Sequence, residues 1–206
     1  MQAARGASLR SSDTHEAAPT GPEPARRARP RCLVLFAAIA LLGYAIDLAT
    51  KTLAVARLSD GHVVHVVGDL LRLDLARNAG AAFSTGTSYT VVLSCVAIAA
   101  AVAVLWVARR LGSTGWAVAL GLLLAGILGN LTDRVFRSPG FLRGHVVDFL
   151  QLPHWPIFNV ADMCINVAAA LIIVQAFRGV TVSGARTAHA RDRGGSDQDP
   201  DDEATQ

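Results

Sequence analysis

The sequence predicts an all-α membrane protein with four transmembrane helices, on three observations. Apolar residues fill 52% of the 206 positions and mean hydropathy is +0.39, on the membrane side of ordinary globular values. Only 17% of residues are charged, most of them in the two ends of the chain, so the middle lacks the polar surface a soluble domain needs. That middle holds four apolar stretches, roughly 33–53, 90–108, 115–132 and 157–177. Each approaches the ~20 residues a helix needs to cross hydrocarbon.

Residues 1–31 are rich in Ala, Pro, Arg, Ser and Thr without apolar periodicity, which predicts a disordered tail. The membrane domain then runs over 32–178. Arg26, Arg27, Arg29 and Arg31 precede the first span, Arg109 and Arg110 join the second to the third, and Arg178 follows the fourth. This bias puts those segments, and so both termini, in the cytoplasm. A cleaved leader over 26–46 is the alternative for the first span, but Asp47 and Lys51 follow it directly. Between the first two spans, GHVVHVVGDLLRLDLAR at 61–77 alternates apolar and polar residues, as a short β hairpin does. The loop over 133–156 carries Pro139, Gly140, Gly144, Pro153 and Pro156, and is expected to be turn-rich with at most one short helix. From 179 to 206 a second tail ends in an acidic run, Asp197 to Glu203, which reads as a solvated segment.

Several function classes fall away. The net charge of +3 and pI near 9.1 do not indicate nucleic acid, because the arginines flank apolar runs instead of lining a polar face. Cys32, Cys95 and Cys164 are odd in number, lack CxxC spacing and lie in or beside apolar stretches, so neither a disulfide frame nor a zinc site is expected. No histidine falls inside a span and no HExxH occurs. His145 and His154 flank Asp148 but lack a third ligand, so no metal or other cofactor is expected.

Ionisable groups near membrane depth are costly and therefore informative. Asp47 and Lys51 stand i, i+4 at the outer end of the first span, where they can form a structural ion pair. Asn130, Asp133 and Arg134 share a face at the outer end of the third span, as a cluster that either fixes the loop or grips a substrate backbone. Asn159 and Asp162 open the fourth span, with Asn166 one turn on, and interhelical hydrogen bonding competes there with chemistry. Asp148 lies in GHVVDFLQL, where apolar neighbours raise a carboxyl pKa, although a capping role is the plainer alternative. If the chain before the fourth span folds back, Asp148 and Asp162 approach each other. Two close carboxylates share one proton, which supplies both the base and the acid that peptide hydrolysis needs.

Four blocks carry a family resemblance: DLATK at 47–51, NAGAAFS at 78–84, GILGNLTDR at 126–134 with GHVVDF at 144–149, and FNVADMCIN at 158–166. Together, in this order among four spans, they resemble the lipoprotein signal peptidases, signal peptidase II. The resemblance implies a β cradle outside the membrane between the first two helices and a short lid helix before the fourth. It also implies a bacterial plasma-membrane aspartic endopeptidase with its active site near the outer surface. Asp148 and Asp162 take the catalytic positions, and Asp47, Lys51, Asn78, Gly80, Asn130, Asp133, Arg134 and Asn159 the supporting ones. The implied substrate is a prolipoprotein whose cysteine is diacylglyceryl-modified, cut just before that cysteine, with membrane lipid as surroundings and no obligate protein partner. The chain departs from the family at Leu48, where Gln is usual, and at Ala125 and Gly126, where a Gly pair is usual. The stretch from Asp133 to Asp148 is longer than usual and that from Asp148 to Asp162 shorter. A small transporter relaying protons or cations through Asp47, Asp162 and Asn166 is the main alternative. A structural subunit whose polar residues only join helices is another.

Overall fold

A computed structural model describes residues 28–80 and 86–185. The expected N-terminal tail up to residue 27, the Ala-rich part of the NAGAAFS block at 81–84, and the tail from residue 186 onward lie outside the described residues. Four helices are long and apolar enough to cross a membrane: α1 (Pro30–Leu58), α2 (Gly86–Ala108), α3 (Thr114–Phe136) and α4 (Val160–Phe177). Pro30 opens α1 in the first turn, where its missing N–H costs no hydrogen bond. At 29 residues, α1 is longer than the expected 33–53 span and longer than a ~30 Å hydrocarbon core requires. Its final turns meet the sheet described below.

Half of the most apolar window of α3 is buried, against 22%, 22% and 17% for α1, α2 and α4, which makes α3 the central helix. It packs on all three others. A Cβ at Gly126 would overlap the carbonyl oxygen of Ala161 and the Ile165 side chain, so the absence of a side chain there sets how closely α3 and α4 approach. Phe36, Ala40, Val104, Leu111, Leu120 and Leu124 belong to the main apolar core between α1, α2 and α3.

The expected hairpin is present as β1 (Val64–Val67) and β2 (Leu71–Asn78). The surprise is a third strand. Val146–Gln151 forms β3, antiparallel to β2, in sheet order β1-β2-β3. Asn78 pairs with Val146, Ala76 with Asp148 and Leu73 with Leu150, with a bulge between Leu73 and Ala76. The sheet is therefore not confined to the connection between the first two helices. Nor is there a short lid helix before the fourth: among the described residues, 137–159 contain no helix, and β3 occupies that stretch. The physical reason is burial. VVDF is buried at every position, an apolar run typical of a strand covered on both faces, and the second edge of β2 supplies the backbone partners. Phe158 bridges back to Leu150, which brings the chain directly to the start of α4.

Past α4 the described chain continues in turns through residue 185. Val182 accepts from Gly112 N–H at 2.9 Å and Val180 from Trp116 Nε1 at 2.7 Å, so the segment after residue 178 is tied to the α2–α3 connection. The hydropathy boundary at 178 falls short of this packed turn.

Candidate active site

The ten site residues implied by the resemblance, nine of them polar and the tenth Gly80, lie at one end of the bundle, where α1, α3, the sheet and the start of α4 meet. Lys51 is fully buried at the centre. Its ammonium contacts Asp47 Oδ2 at 2.8 Å, Asp133 Oδ2 at 3.0 Å and Asn130 Oδ1 at 2.9 Å, which uses all three of its protons. Each carboxylate then ties down a further element. Asp47 Oδ1 accepts from the backbone N–H of Ala161 at 2.8 Å, in the first turn of α4. Asp133 Oδ2 accepts from Val147 N–H of β3 at 3.1 Å, and its Oδ1 pairs with Arg137 Nε. A buried charge is tolerable only when it is so paired. Among the described residues no three His, Cys, Asp or Glu side chains form a metal-ligand group. The gap between Asp47 and Asp133 holds the Lys51 ammonium.

Asp148 and Asp162 lie above this network and are linked through Asn159. As N-cap of α4, Asn159 accepts from Asp162 N–H at 2.9 Å, while its own N–H reaches Asp162 Oδ2 at 3.2 Å, a reciprocal capping box. Its amide donates to Asp148 Oδ1 at 2.6 Å and lies 3.1 Å from Asn130 Oδ1. Asn130 in turn donates to Asp162 Oδ1 at 2.8 Å, and Asn78 to Asp148 Oδ2 at 3.0 Å. Gly80 N–H bonds Asn78 Oδ1 at 2.8 Å, with φ of 101° at Gly80, a conformation that disfavours any side chain. Burial pushes the Asp148 carboxyl up to about 6, and the nearby charge of Asp162 pushes the same way, against the lowering effect of the Asn78 and Asn159 amides and of Lys51.

Arg134 interacts electrostatically with Asp148, Asp162 and Asp133. Its Nη1 is buried without a hydrogen-bond partner among the described residues. Asn166 does not join the cluster: it is exposed and, among the described residues, its side chain bonds the backbone oxygen of Asp162. Other contributors escape a reading by charge. A Cβ at Gly129 would overlap the Asp47 carboxylate and crowd Ala161, so glycine there admits both. On α2, buried Thr90 donates to Ala79 O at 2.7 Å and buried Ser94 to Leu142 O at 2.9 Å, anchoring the chain after β2 and the loop before β3. Their signal is faint, since hydroxyls in apolar helices are common and bond their own backbone.

Four membrane-length helices with a buried Asp148 and a half-buried Asp162 hydrogen-bonded through one asparagine at one end define a polytopic membrane protein with a carboxylate cluster. The family model for signal peptidase (SPase) II matches residues 39–178. A lipoprotein signal peptidase of Leifsonia xyli subsp. xyli is 46% identical over 183 residues, covering 88% of this chain and 83% of that one. One from Mycobacterium avium is 47% identical over 161 residues, 78% and 88% of the two chains. A solved bacterial membrane enzyme shares the fold with a TM-score of 0.64 at 26% identity, over 76% of this chain and 99% of the other. The chain belongs to the signal peptidase II family and is an aspartic endopeptidase. Nothing in these comparisons supports the transporter alternative.

Proposed function

We propose that this peptidase removes signal peptides from diacylglyceryl-modified bacterial prolipoproteins, cutting before the lipidated cysteine, with Asp148 and Asp162 as the catalytic pair. The observation that carries this reading is the shared clamp of Asn159 on both carboxylates, which holds them as a unit. The surroundings of Asp148 favour the proton. Asp162 takes a proton from water as the water oxygen attacks the scissile carbonyl carbon, and Asp148 gives its proton to the carbonyl oxygen. In the tetrahedral species Asp162 returns its proton to the amide nitrogen, the C–N bond breaks, and Asp148 recovers a proton from a hydroxyl. No metal and no covalent intermediate take part.

The supporting residues divide the remaining work. Lys51, Asp47 and Asp133 brace α1, α3, β3 and α4 against one another. Arg134 Nη1, without a partner among the described residues and beside the pair, is a donor suited to a substrate carbonyl. The three-stranded sheet is the cradle for the extended peptide before the cysteine, while the acyl chains stay in lipid. Both termini lie in the cytoplasm, and the carboxylate end of the bundle faces the outer surface of the plasma membrane, in keeping with the arginines that flank the spans.

The test is to incubate the full-length protein in lipid with a diacylated and an unlipidated form of one prolipoprotein. Release of the signal peptide from the diacylated form alone is expected. Equal release from both overturns the lipid requirement, and release from neither overturns the assigned reaction.

A further inference from the structure

The carboxylate network uses one face of α1, through buried Asp47 and Lys51. The opposite face carries Leu48, Ala49, Thr52, Leu53, Ala56 and Arg57, all exposed. Where that face meets the sheet, a cleft of about 670 Å³ opens, walled by Leu53, Val64, Leu73 and Phe149, with Arg57 and His62 in its lining. A shallower groove of about 520 Å³ continues from it along α1 past Thr52, Ala49 and Ala45, and Leu53 lines both. Neither includes any residue of the carboxylate cluster. Asp148 and Phe149 are consecutive on β3, so strand alternation sends one to the carboxylate pair and the other to this cleft.

The chemistry of the cleft is that of a lipid at the membrane boundary. Its walls are apolar and continuous with the lipid-facing surface of α1. Arg57 lies in the last turn of that helix, just past its apolar run. Among the described residues Arg57 makes no salt bridge, whereas His62 is paired with Asp60, so the uncompensated charge in the cleft is the guanidinium. A partner surface without an acidic group, seated here, would bury that charge unpaired at a cost of several kcal/mol. A phosphodiester supplies the partner, in the planar bidentate geometry arginine favours.

We propose that this face of α1 binds an anionic phospholipid, its phosphate against Arg57 and an acyl chain along the groove past Leu53. This is a positive selection of one lipid at one place, distinct from an arginine that merely snorkels to the interface.

Native mass spectrometry of the full-length protein, released from micelles with equimolar phosphatidylglycerol and phosphatidylcholine of the same acyl chains, reads the selectivity directly. Wild type is expected to retain phosphatidylglycerol about fivefold or more over phosphatidylcholine. Arg57→Gln should lose that preference and Arg57→Lys should keep most of it. Leu53→Trp, which fills the cleft, should lower retention of both lipids. Equal retention of the two lipids by wild type, or unchanged selectivity in Arg57→Gln, overturns the proposal. Displacement of the lipid by millimolar inorganic phosphate would reduce the site to a phosphate site and also overturn it. So would a dimer that disappears in Leu53→Trp, which would make the face a protein interface.

Discussion

The side-chain amide of Asn159 lies 2.6 Å from Asp148 Oδ1, and this bond joins β3 to the first turn of α4 across eleven residues of chain. The same residue caps α4 and bonds Asp162 in both directions, so its side chain on Asp148 and its backbone N–H on Asp162 Oδ2 link the two carboxylates through one residue. The pair is thus held between a strand and a helix start, both rigid elements, instead of on loops.

Asn159→Ala removes the amide hydrogen bond to Asp148 and the cap on the Asp162 N–H, and leaves the backbone N–H on Asp162 Oδ2. The lost cap costs about 1 kcal/mol, and the unsatisfied groups left around it add to that. Activity should fall further than stability does, on the order of 10²-fold in kcat, because both carboxylates lose their alignment. Asn166→Ala, at an exposed position on the same helix, serves as the control and should change neither by much. Thermal unfolding in micelles and initial rates of signal-peptide release check the two effects.

Lys51→Met should be among the most destabilising single changes in the protein. It leaves Asp47 and Asp133 buried without their shared cation, a loss of about 3–5 kcal/mol. Adding Asp47→Asn to Lys51→Met should recover part of that loss by removing one orphaned charge. A double-mutant cycle of unfolding free energies measures the coupling.

Gly129→Ala adds one methyl group where the Asp47 carboxylate and the Ala161 side chain already sit. Overpacking of this kind costs about 1–3 kcal/mol, and here it also pushes α4 away from α3. Reduced yield of folded protein and a lower unfolding temperature are expected, with Gly140→Ala, which has open space around it, as the neutral comparison.

Asp148 makes the protein pH-sensitive in a direction that can be worked out. Its carboxyl is near 6 when folded and near the ordinary 3.8 when unfolded, so between those values the folded state keeps a proton that the unfolded state has released. Stability from this group is therefore full below pH ~4 and is lost as pH rises through about 6. Relative to wild type, Asp148→Asn should gain about 1–2 kcal/mol between pH 4 and pH 7, after allowance for solvent screening. In wild type, kcat/KM should decline as pH rises past about 6, when the acid member of the pair loses its proton. Unfolding curves and rate profiles at matched ionic strength check both.

Much of this arrangement is legible in the sequence because a membrane makes polar residues conspicuous. Asp47, Lys51, Asn130, Asp133 and Asp162 each interrupt or border an apolar run, and helical spacing alone puts Asp47 beside Lys51. What is not legible is β3. VVDFLQ has a weak local pattern, and its structure depends on β2, some 70 residues earlier in the chain, so a segment full of nearby prolines and glycines reads as turns. The same long-range pairing is why the implied lid helix gives way to a strand. Gly129 escapes for another reason: its importance lies in what a side chain would strike, which only the packing of α1, α3 and α4 reveals.

The central claim is that Asp148 and Asp162 act as one catalytic pair. The most direct measurement is signal-peptide release from a diacylated prolipoprotein by wild type, Asp148→Asn, Asp162→Asn and the double variant, each confirmed folded by its unfolding temperature. The expected result is a loss of at least 10³-fold in either single variant and no further loss in the double, since residues acting as a unit are not additive. Folded Asp162→Asn or Asp148→Asn protein that cleaves within tenfold of the wild-type rate would contradict it.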